Sequence, residues 1–487
     1  NVIVALKDLP INHIINLEEI SIELKNDVNQ GHKIAIKEIK KNENIIKYGV
    51  PIGHALEDIK IGEHVHTHNI KTNLKDLLNY SYDKKTEDFK VSLPNKNVNV
   101  YQRKNGDVGI RNELWIVPTV GCVNGIGEQI KERFEKENDI SNIDGVFMFP
   151  HNYGCSQLGD DHETTKIILQ NMVKHPNAGG VLILGLGCEN NQIGPFMDTL
   201  GNYDENRVKT LITQDVEDEV EEGLKLLKEL YNTMKNDKRV EAPISSLKIG
   251  LECGGSDGFS GISANPSLGV VSDIMVALGA KTVLAEFPEL CGVEQELMDR
   301  CVDEAKANKF LSLMKAFEKS VVDAGSGFDM NPSPGNIKDG LITDAMKSAG
   351  AAKKGGTAPI VDVLDYGEYI SKSGLNLLNT PGNDAECTTA LVGSGATVVL
   401  FTTGLGTGMG NPIAPVLKIS SNTQLAEKMN DIIDVNAGEI ISGTKSINDV
   451  AEDIINYIIE VASGRIVSKA DQQRQDVFIP WKRGVSL

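Results

Sequence analysis

"LWIVPTV", residues 114–120, is followed almost at once by "GIGEQIKERFEKE", residues 125–137, and this pair decides the fold. The first run is apolar and strand-like; the second carries apolar residues at helical spacing among charges. The alternation recurs down the chain, as in "GGVLILGLG" (179–187) followed by a polar segment. Apolar strands alternating with amphipathic helices predict an α/β layer fold. At 487 residues the chain exceeds what one hydrophobic core organises, so several domains are expected.

Ahead of this region the pattern differs. "HKIAIKEI" (32–39), "ENIIKYGVPIGHALEDI" (43–59) and "GEHVHTHNI" (62–70) are short strand-like runs between polar turns, which predicts a small β-rich module over 1–90. The polar, proline-bearing stretch 83–100, "DKKTEDFKVSLPNKNVNV", is the best linker, placed at 91–100. A second break near "NDKRVEAPISS" (236–246), after the helical "VEDEVEEGLKLLKELYNTM" (216–234), divides the rest into α/β domains over 101–240 and 241–487. No fixed-period repeat is present.

Composition narrows the function. With 68 acidic against 49 basic residues the net charge is −19, which disfavours nucleic acid and anionic membrane as partners. No apolar run approaches the roughly 20 residues that span a bilayer, and no basic-then-apolar leader opens the chain. Seven cysteines are too few and too odd in number for a disulfide scaffold, so a reducing cytoplasm is expected. All nine histidines lie at or before His175. The C-terminal two-thirds must therefore use other groups, and chemistry shared between the halves is anticipated.

His64, His66 and His68 stand at alternate positions, which on a strand places them on one face. Three imidazoles on one face point to metal or anion binding as much as to a polar strand surface. Cys122, Cys155, Cys188 and Cys253 each come at or just after the end of an apolar strand, where α/β sheets bind ligands. They are candidate ligands of a metal or an iron–sulfur cluster, or reactive thiols. A free cysteine is also a common core residue, and Cys291 passes the same test. Cys301 and Cys387, in helix-like sequence, are taken as structural.

The neighbours of these cysteines strengthen the case. "HNYGCSQLGDDHETT" (151–165) gathers His151, Cys155, Ser156, Asp160, Asp161 and His162, and "ECGGSDGFSG" (252–261) puts Ser256 and Asp257 directly after a strand. Glycine-rich backbone there could hold a carboxylate or oxyanion, although solvated turns use the same residues. "TTGLGTGMGNP" (402–412) follows a strand but has no helix behind it, so an anion-binding loop is expected rather than a dinucleotide site.

"GEHVHTHN", "GDVGIRNELWIVPTVGCVN", "GCSQLGDDHETT", "ECGGSDGFSGISANP", "KGGTAPIVDVLDYGE", "TPGNDAECTTALVGSGA" and "DVFIPWKRGVSL", in that order over nearly the whole chain, resemble the altronate/galactarate dehydratase family of sugar-acid dehydratases, its altronate branch above all. The resemblance implies an N-terminal SAF (β-clip) module, a large α/β catalytic region, and dependence on Fe²⁺, with Mn²⁺ or another divalent ion as alternatives. It implies that His32 joins His66 and His68 at the SAF site, with His64 at a variable position. The expected metal ligands are His66 and His68, with Cys122, Cys155, Cys188 and Cys253 in the large region. The expected catalytic groups are His66, His68, His162 and Lys354. His32, Arg111, Ser256, Asp257, Asn383 and Asp384 are expected to contact substrate. A mononuclear ion is favoured over an iron–sulfur cluster because the cysteines are widely spaced and no CxxC occurs. The expected activity is conversion of D-altronate to 2-keto-3-deoxygluconate and water in a homodimer. Galactarate dehydration, a sulfolactate-type lyase and a sugar-acid binding protein are the rivals.

Overall fold

The computed structural model describes residues 1–17, 20–73, 80–85, 96–484 and 486. The end of the expected first module (74–79 and 86–90) and the first half of the expected linker (91–95) lie outside the described residues.

The first seventy residues fold as short strands in small sheets, ordered Val2–Val4, Lys33–Ala35 and His64–Val65 in one, and Asn44–Lys47, Val50–Ala55 and Ile70–Lys71 in another. The β-rich expectation holds. What pattern reading by period missed is a motif repeated at unequal intervals: Ala5-Leu-Lys-Asp-Leu9, Leu24-Lys-Asn-Asp-Val28, Ala35-Ile-Lys-Glu-Ile39 and Ala55-Leu-Glu-Asp-Ile59. Each copy buries its first and last residue, and the copies pair through isolated bridges Leu9–Val28 and Ile39–Ile59. Three of the motif carboxylates fasten the turn of the partner copy, as Asp8 accepts from Gln30 N (2.8 Å), Asp27 from Ile11 N (2.7 Å) and Asp58 from Lys41 N (2.9 Å).

The α/β expectation also holds. "LWIVPTV" lies in strand Glu113–Pro118, and "GIGEQIKERFEKE" in helix Asn124–Glu137. That strand sits in a four-stranded parallel sheet ordered Val146–Met148, Glu113–Pro118, Ala178–Gly185, Val208–Ile212. A seven-stranded parallel sheet follows, ordered Ile360–Leu364, Gly374–Leu378, Lys281–Leu284, Lys248–Cys253, Val398–Thr403, Val416–Ser420, Val435–Asn436. In both sheets the first strand in sequence lies inside the sheet with later strands on either side of it. The crevice at its C-terminal end is then the place where an α/β sheet binds ligands. One hydrophobic cluster joins the sheets, with Trp115, Val117 and Ile183 packed in common with Val283, Leu391 and Phe401.

Strand Asn97–Gln102 occupies the second half of the expected linker, because Val98 and Val100 alternate inward and bury. It pairs antiparallel with Val240–Pro243, inside the expected second break. The chain therefore returns to the strand that precedes the four-stranded sheet before it enters the seven-stranded one.

Candidate functional site

The expected three-histidine strand face is only partly a strand. His64–Val65 is extended, but the chain turns at His66–Asn69, where Asn69 Nδ2 donates to His64 O (3.0 Å) and Asn69 Oδ1 accepts from His66 N (3.0 Å). The imidazoles gather all the same. Ring centroids of His32 and His66 are 4.6 Å apart, those of His64 and His66 5.3 Å, and those of His64 and His68 5.5 Å.

This cluster faces the large region. His32 Nε2 donates to Lys338 O (3.0 Å) and His66 Nε2 to Ile337 O (3.2 Å). A carbonyl only accepts, so both Nε2 atoms carry protons; His32 Nδ1 lies 3.0 Å from His64 Nε2, and His66 Nδ1 3.1 Å from Thr67 Oγ1. Imidazoles that ligate a metal are commonly held in this way, the distal N–H on a carbonyl. Burial, with the neighbouring imidazoles adding repulsion, pushes His64 and His66 down to about 4, so both are neutral and able to ligate at neutral pH. Among the described residues the imidazole nitrogens do not form a group of three within 4.8 Å, so the cluster offers two of the ligands a divalent ion takes and not a complete set.

The first module also inserts a hairpin tip. Tyr48 and Gly49, both with positive φ (59° and 82°), turn the chain between Asn44–Lys47 and Val50–Ala55. Tyr48 packs onto Gly261, where a Cβ would strike its hydroxyl, and lies under Lys353 (4.2 Å to the ring centroid). A small cavity at this seam is lined by Tyr48 from the module and by Cys253, Ser256, Glu289 and Lys347 from the large region.

Behind the cavity, at the C-terminal edge of the seven-stranded sheet, is a buried network of charges. Lys354 Nζ donates to Cys253 Sγ (2.8 Å) and to Glu286; Cys253 Sγ donates to Glu289 Oε2 (3.2 Å); Lys347 Nζ pairs with Glu289 Oε1 (2.6 Å). Burial works against the Lys354 ammonium, but Cys253, Glu286 and Glu289 hold it charged. Burial, reinforced by Glu289, pushes Glu286 up to about 7 and Asp384 up to about 6. Glu286 adopts a left-handed φ of 69°, unusual for a side chain of this size, and is secured by Thr380 Oγ1 on its N–H (2.9 Å) and by Cys253 N on its carboxylate (3.0 Å). Among the described residues, Cys253, Glu286 and Glu289 are the group whose ligand atoms lie within 4.8 Å of one another. Lys354 already occupies a cation's place among them, and burial keeps Cys253 a neutral thiol. That set is an acid–base network and fits a metal poorly.

The four strand-end cysteines separate. Cys122, Cys155 and Cys188 are exposed beyond the four-stranded sheet, whereas Cys253 is buried in the other. Asp257 is tied into the protein's own hydrogen bonds: its Oδ1 accepts from Phe259 N, Ser260 N and Ser260 Oγ of its turn and from Ser421 Oγ (2.8–3.1 Å), and Oδ2 from Asn422 Nδ2 (3.0 Å). Asn383 caps helix Asp384–Gly393 through Ala385 N (3.1 Å) and Glu386 N (3.3 Å). Arg111 lies at the opposite end of its sheet from the cysteines, paired with Asp471 (2.6 Å) and Glu113 (3.4 Å). Ser256 lines the cavity, and the buried Nε2 of His162 has no hydrogen-bond partner.

Sequence reading missed Tyr48, Glu286, Glu289 and Lys347. Tyr-Gly between two strand-like runs was a usable hairpin signal. The others sit in ordinary helical or loop sequence and acquire meaning only from partners brought there by the fold.

Three family models match the chain. The altronate/galactarate dehydratase SAF domain matches residues 1–73, the D-galactarate dehydratase/altronate hydrolase second domain 100–235, and the D-galactarate/altronate dehydratase C-terminal domain 244–486. The chain is 49% identical over 488 residues to an altronate dehydratase of Escherichia coli, with 100% of this chain and 98% of the relative covered. It is 48% identical over 488 residues to an altronate dehydratase of Bacillus subtilis, with the same coverage of 100% and 98%. A galactarate dehydratase (L-threo-forming) of Escherichia coli is 32% identical over 465 residues, with 93% of this chain and 89% of the relative covered.

Proposed function

Because the chain belongs to the altronate/galactarate dehydratase family, we propose that it is a hydro-lyase that converts D-altronate to 2-keto-3-deoxygluconate and water. Such a reaction takes a weakly acidic proton from the carbon beside a carboxylate and expels hydroxide from the next carbon. The resulting enol then ketonises. The chemistry asks for a cation to receive the substrate carboxylate and for a carboxylate or amine with a pKa near neutrality.

The observation that carries this reading is the seam cavity with the charge network behind it. Lys347 and Glu289 line the cavity, and Glu286 and Asp384, raised to about 7 and about 6, stand near it. In this reading the Lys347 ammonium receives the substrate carboxylate, Glu289, held below the ordinary carboxylate range by Lys347 and Lys354, keeps that ammonium in place, and Glu286, raised to about 7 and with an Oε1 that has no hydrogen-bond partner, accepts the α-proton. Lys354 holds Glu286 and Cys253 in place from behind and is a positioning residue. The Tyr48 hairpin closes the cavity, which at about 10 Å³ has room for about one water, and must withdraw for a sugar acid to enter.

A divalent ion, iron first because imidazole ligands suit it, would be held by His66 and His68 with His32 beside them. When bound it supplies a Lewis acid for carboxylate and hydroxyl oxygens. The test is anaerobic, iron-supplemented turnover of altronate, galactarate and sulfolactate, read as formation of 2-keto-3-deoxy acid or sulfite. Altronate turned over fastest is the expected result. Sugar-acid binding without turnover, or preference for either other substrate, overturns the assignment.

A further inference from the structure

The acid–base network leaves three exposed thiols unused. They sit at equivalent places on three neighbouring parallel strands. Pro118 pairs with Leu184, and Cys122 and Cys188 each stand four residues beyond that pair. Ile116 pairs with Met148, and Cys155 stands seven residues beyond Met148 where Cys122 stands six beyond Ile116. The central strand of the three is the first of its sheet in sequence, so its C-terminal end opens into the crevice between strands that leave in opposite directions.

The loops that carry these thiols are locked together. Gly121 N donates to Tyr153 O (2.9 Å), Asn191 N to Gly154 O (3.1 Å), Ser156 N to Asn190 Oδ1 (2.7 Å), and Asn191 Nδ2 to Thr119 O (3.1 Å). Each thiol follows a glycine, and in each case a side chain there would collide with a neighbour: Gly121 with His151 O, Gly154 with Thr119 O, and Gly187 with Gln214. Gly154 and Gly187 also have positive φ, 96° and 128°. Cys253 and Cys291 follow Glu252 and Leu290 and lack this device. Gln214 Nε2 points at Cys188 Sγ (3.6 Å), the kind of donor that tunes a metal-bound thiolate.

We propose that Cys122, Cys155 and Cys188 hold an iron–sulfur cluster by three thiolates, leaving one iron without a cysteine ligand. A single ion is disfavoured on two grounds. Ligands of one ion converge, yet among the described residues these thiols are not a group whose ligand atoms lie within 4.8 Å of one another. Thiolates around a cluster stand further apart, because irons and sulfides lie between them. Structural zinc would need a fourth ligand, and the histidine in these loops is committed: His151 Nε2 donates to Pro118 O (2.9 Å) and Nδ1 accepts from Tyr153 N (3.1 Å).

The inference is independent of the substrate, because its readout is cluster content. Full-length protein made in iron-replete cells and purified anaerobically should contain about four acid-labile sulfides per chain and about four irons beyond any ion held by the histidines, with sulfide-to-iron absorption in the visible. Cys122→Ser, Cys155→Ser and Cys188→Ser should each lose most of the sulfide, whereas Cys301→Ser should keep it. Iron or zinc without labile sulfide in the unmodified protein overturns the proposal, as does a triple serine variant that retains its sulfide. Should the serine variants fail to fold, alkylation of the unmodified protein decides. Protection of these three cysteines that disappears once the cluster is chelated sustains the proposal, and their alkylation in iron-loaded protein overturns it.

Discussion

The C-terminal edges of the two parallel sheets were built by the same local rule, a cysteine at or just beyond an apolar strand, and they ended as opposites. At the four-stranded sheet, three thiols are exposed, each after a glycine, and among the described residues no lysine or carboxylate is paired to them. At the seven-stranded sheet, Cys253 is buried between Lys354 and Glu289 and stays a thiol. A strand end fixes where a side chain can act. Whether it acts as a ligand or as part of an acid–base network is decided by groups that arrive from elsewhere in the chain, such as Lys354, 101 positions after Cys253.

The contrast can be broken most forcefully at the buried edge. Lys354→Met leaves Glu286 and Glu289 short of countercharge, and urea unfolding should show a loss of about 3–5 kcal/mol together with loss of turnover. Cys155→Ala, exposed, should move stability by no more than about 0.5 kcal/mol in metal-free protein. Equal costs at the two sites would refute the distinction. Next in size, Gly154→Ala places a Cβ against Thr119 O at a φ of 96° and should cost about 1–3 kcal/mol by thermal unfolding. Unchanged stability would mean that the thiol loops are not interlocked.

Acidity sharpens the comparison between the network and the histidine seam. Glu286 and Asp384 are raised by folding, so their contribution to stability is present below the ordinary carboxylate range and is lost as pH climbs through about 6 and about 7. His64 and His66 are lowered by folding, so in metal-free protein theirs is present above 6.5 and is lost as pH falls towards about 4. Denaturant midpoints of Asp384→Asn and His64→Gln across pH 4–8 should flatten opposite limbs of the profile. The smallest effect is on reactivity: iodoacetamide should label Cys122, Cys155 and Cys188 in native metal-free protein, and Cys253, Cys291, Cys301 and Cys387 only after unfolding, as read by mass spectrometry. Early labelling of Cys253 would contradict its buried ion pairing.

Much of the architecture was legible because it rests on local periodicity. The strand–helix alternation, the change of pattern before residue 100 and the helix over 219–234 all follow from residue spacing. The fourfold motif of the first module escaped because its copies are unequally spaced. Asn97–Gln102 escaped because its two inward valines alternate with asparagines and follow the polar Asn95 and Lys96. At the site, the histidine cluster and the strand-end cysteines could be located in sequence, but their environments could not. Asp257 looked like a ligand contact and is bonded to its own turn and to Ser421 and Asn422 from far along the chain, and Asn383 is a helix cap. Glu289 and Lys347 become a buried ion pair only where a loop, a helix and the inserted Tyr48 hairpin meet.

The central claim is that sugar-acid dehydration occurs in the seam cavity, with Lys347 receiving the substrate carboxylate. Steady-state formation of 2-keto-3-deoxygluconate from altronate under anaerobic, iron-loaded conditions should fall by about 10²-fold or more in Lys347→Met, with KM raised and the fold retained by circular dichroism. A folded, iron-loaded Lys347→Met enzyme with unaltered kcat and KM would contradict the account and place the chemistry elsewhere in the molecule.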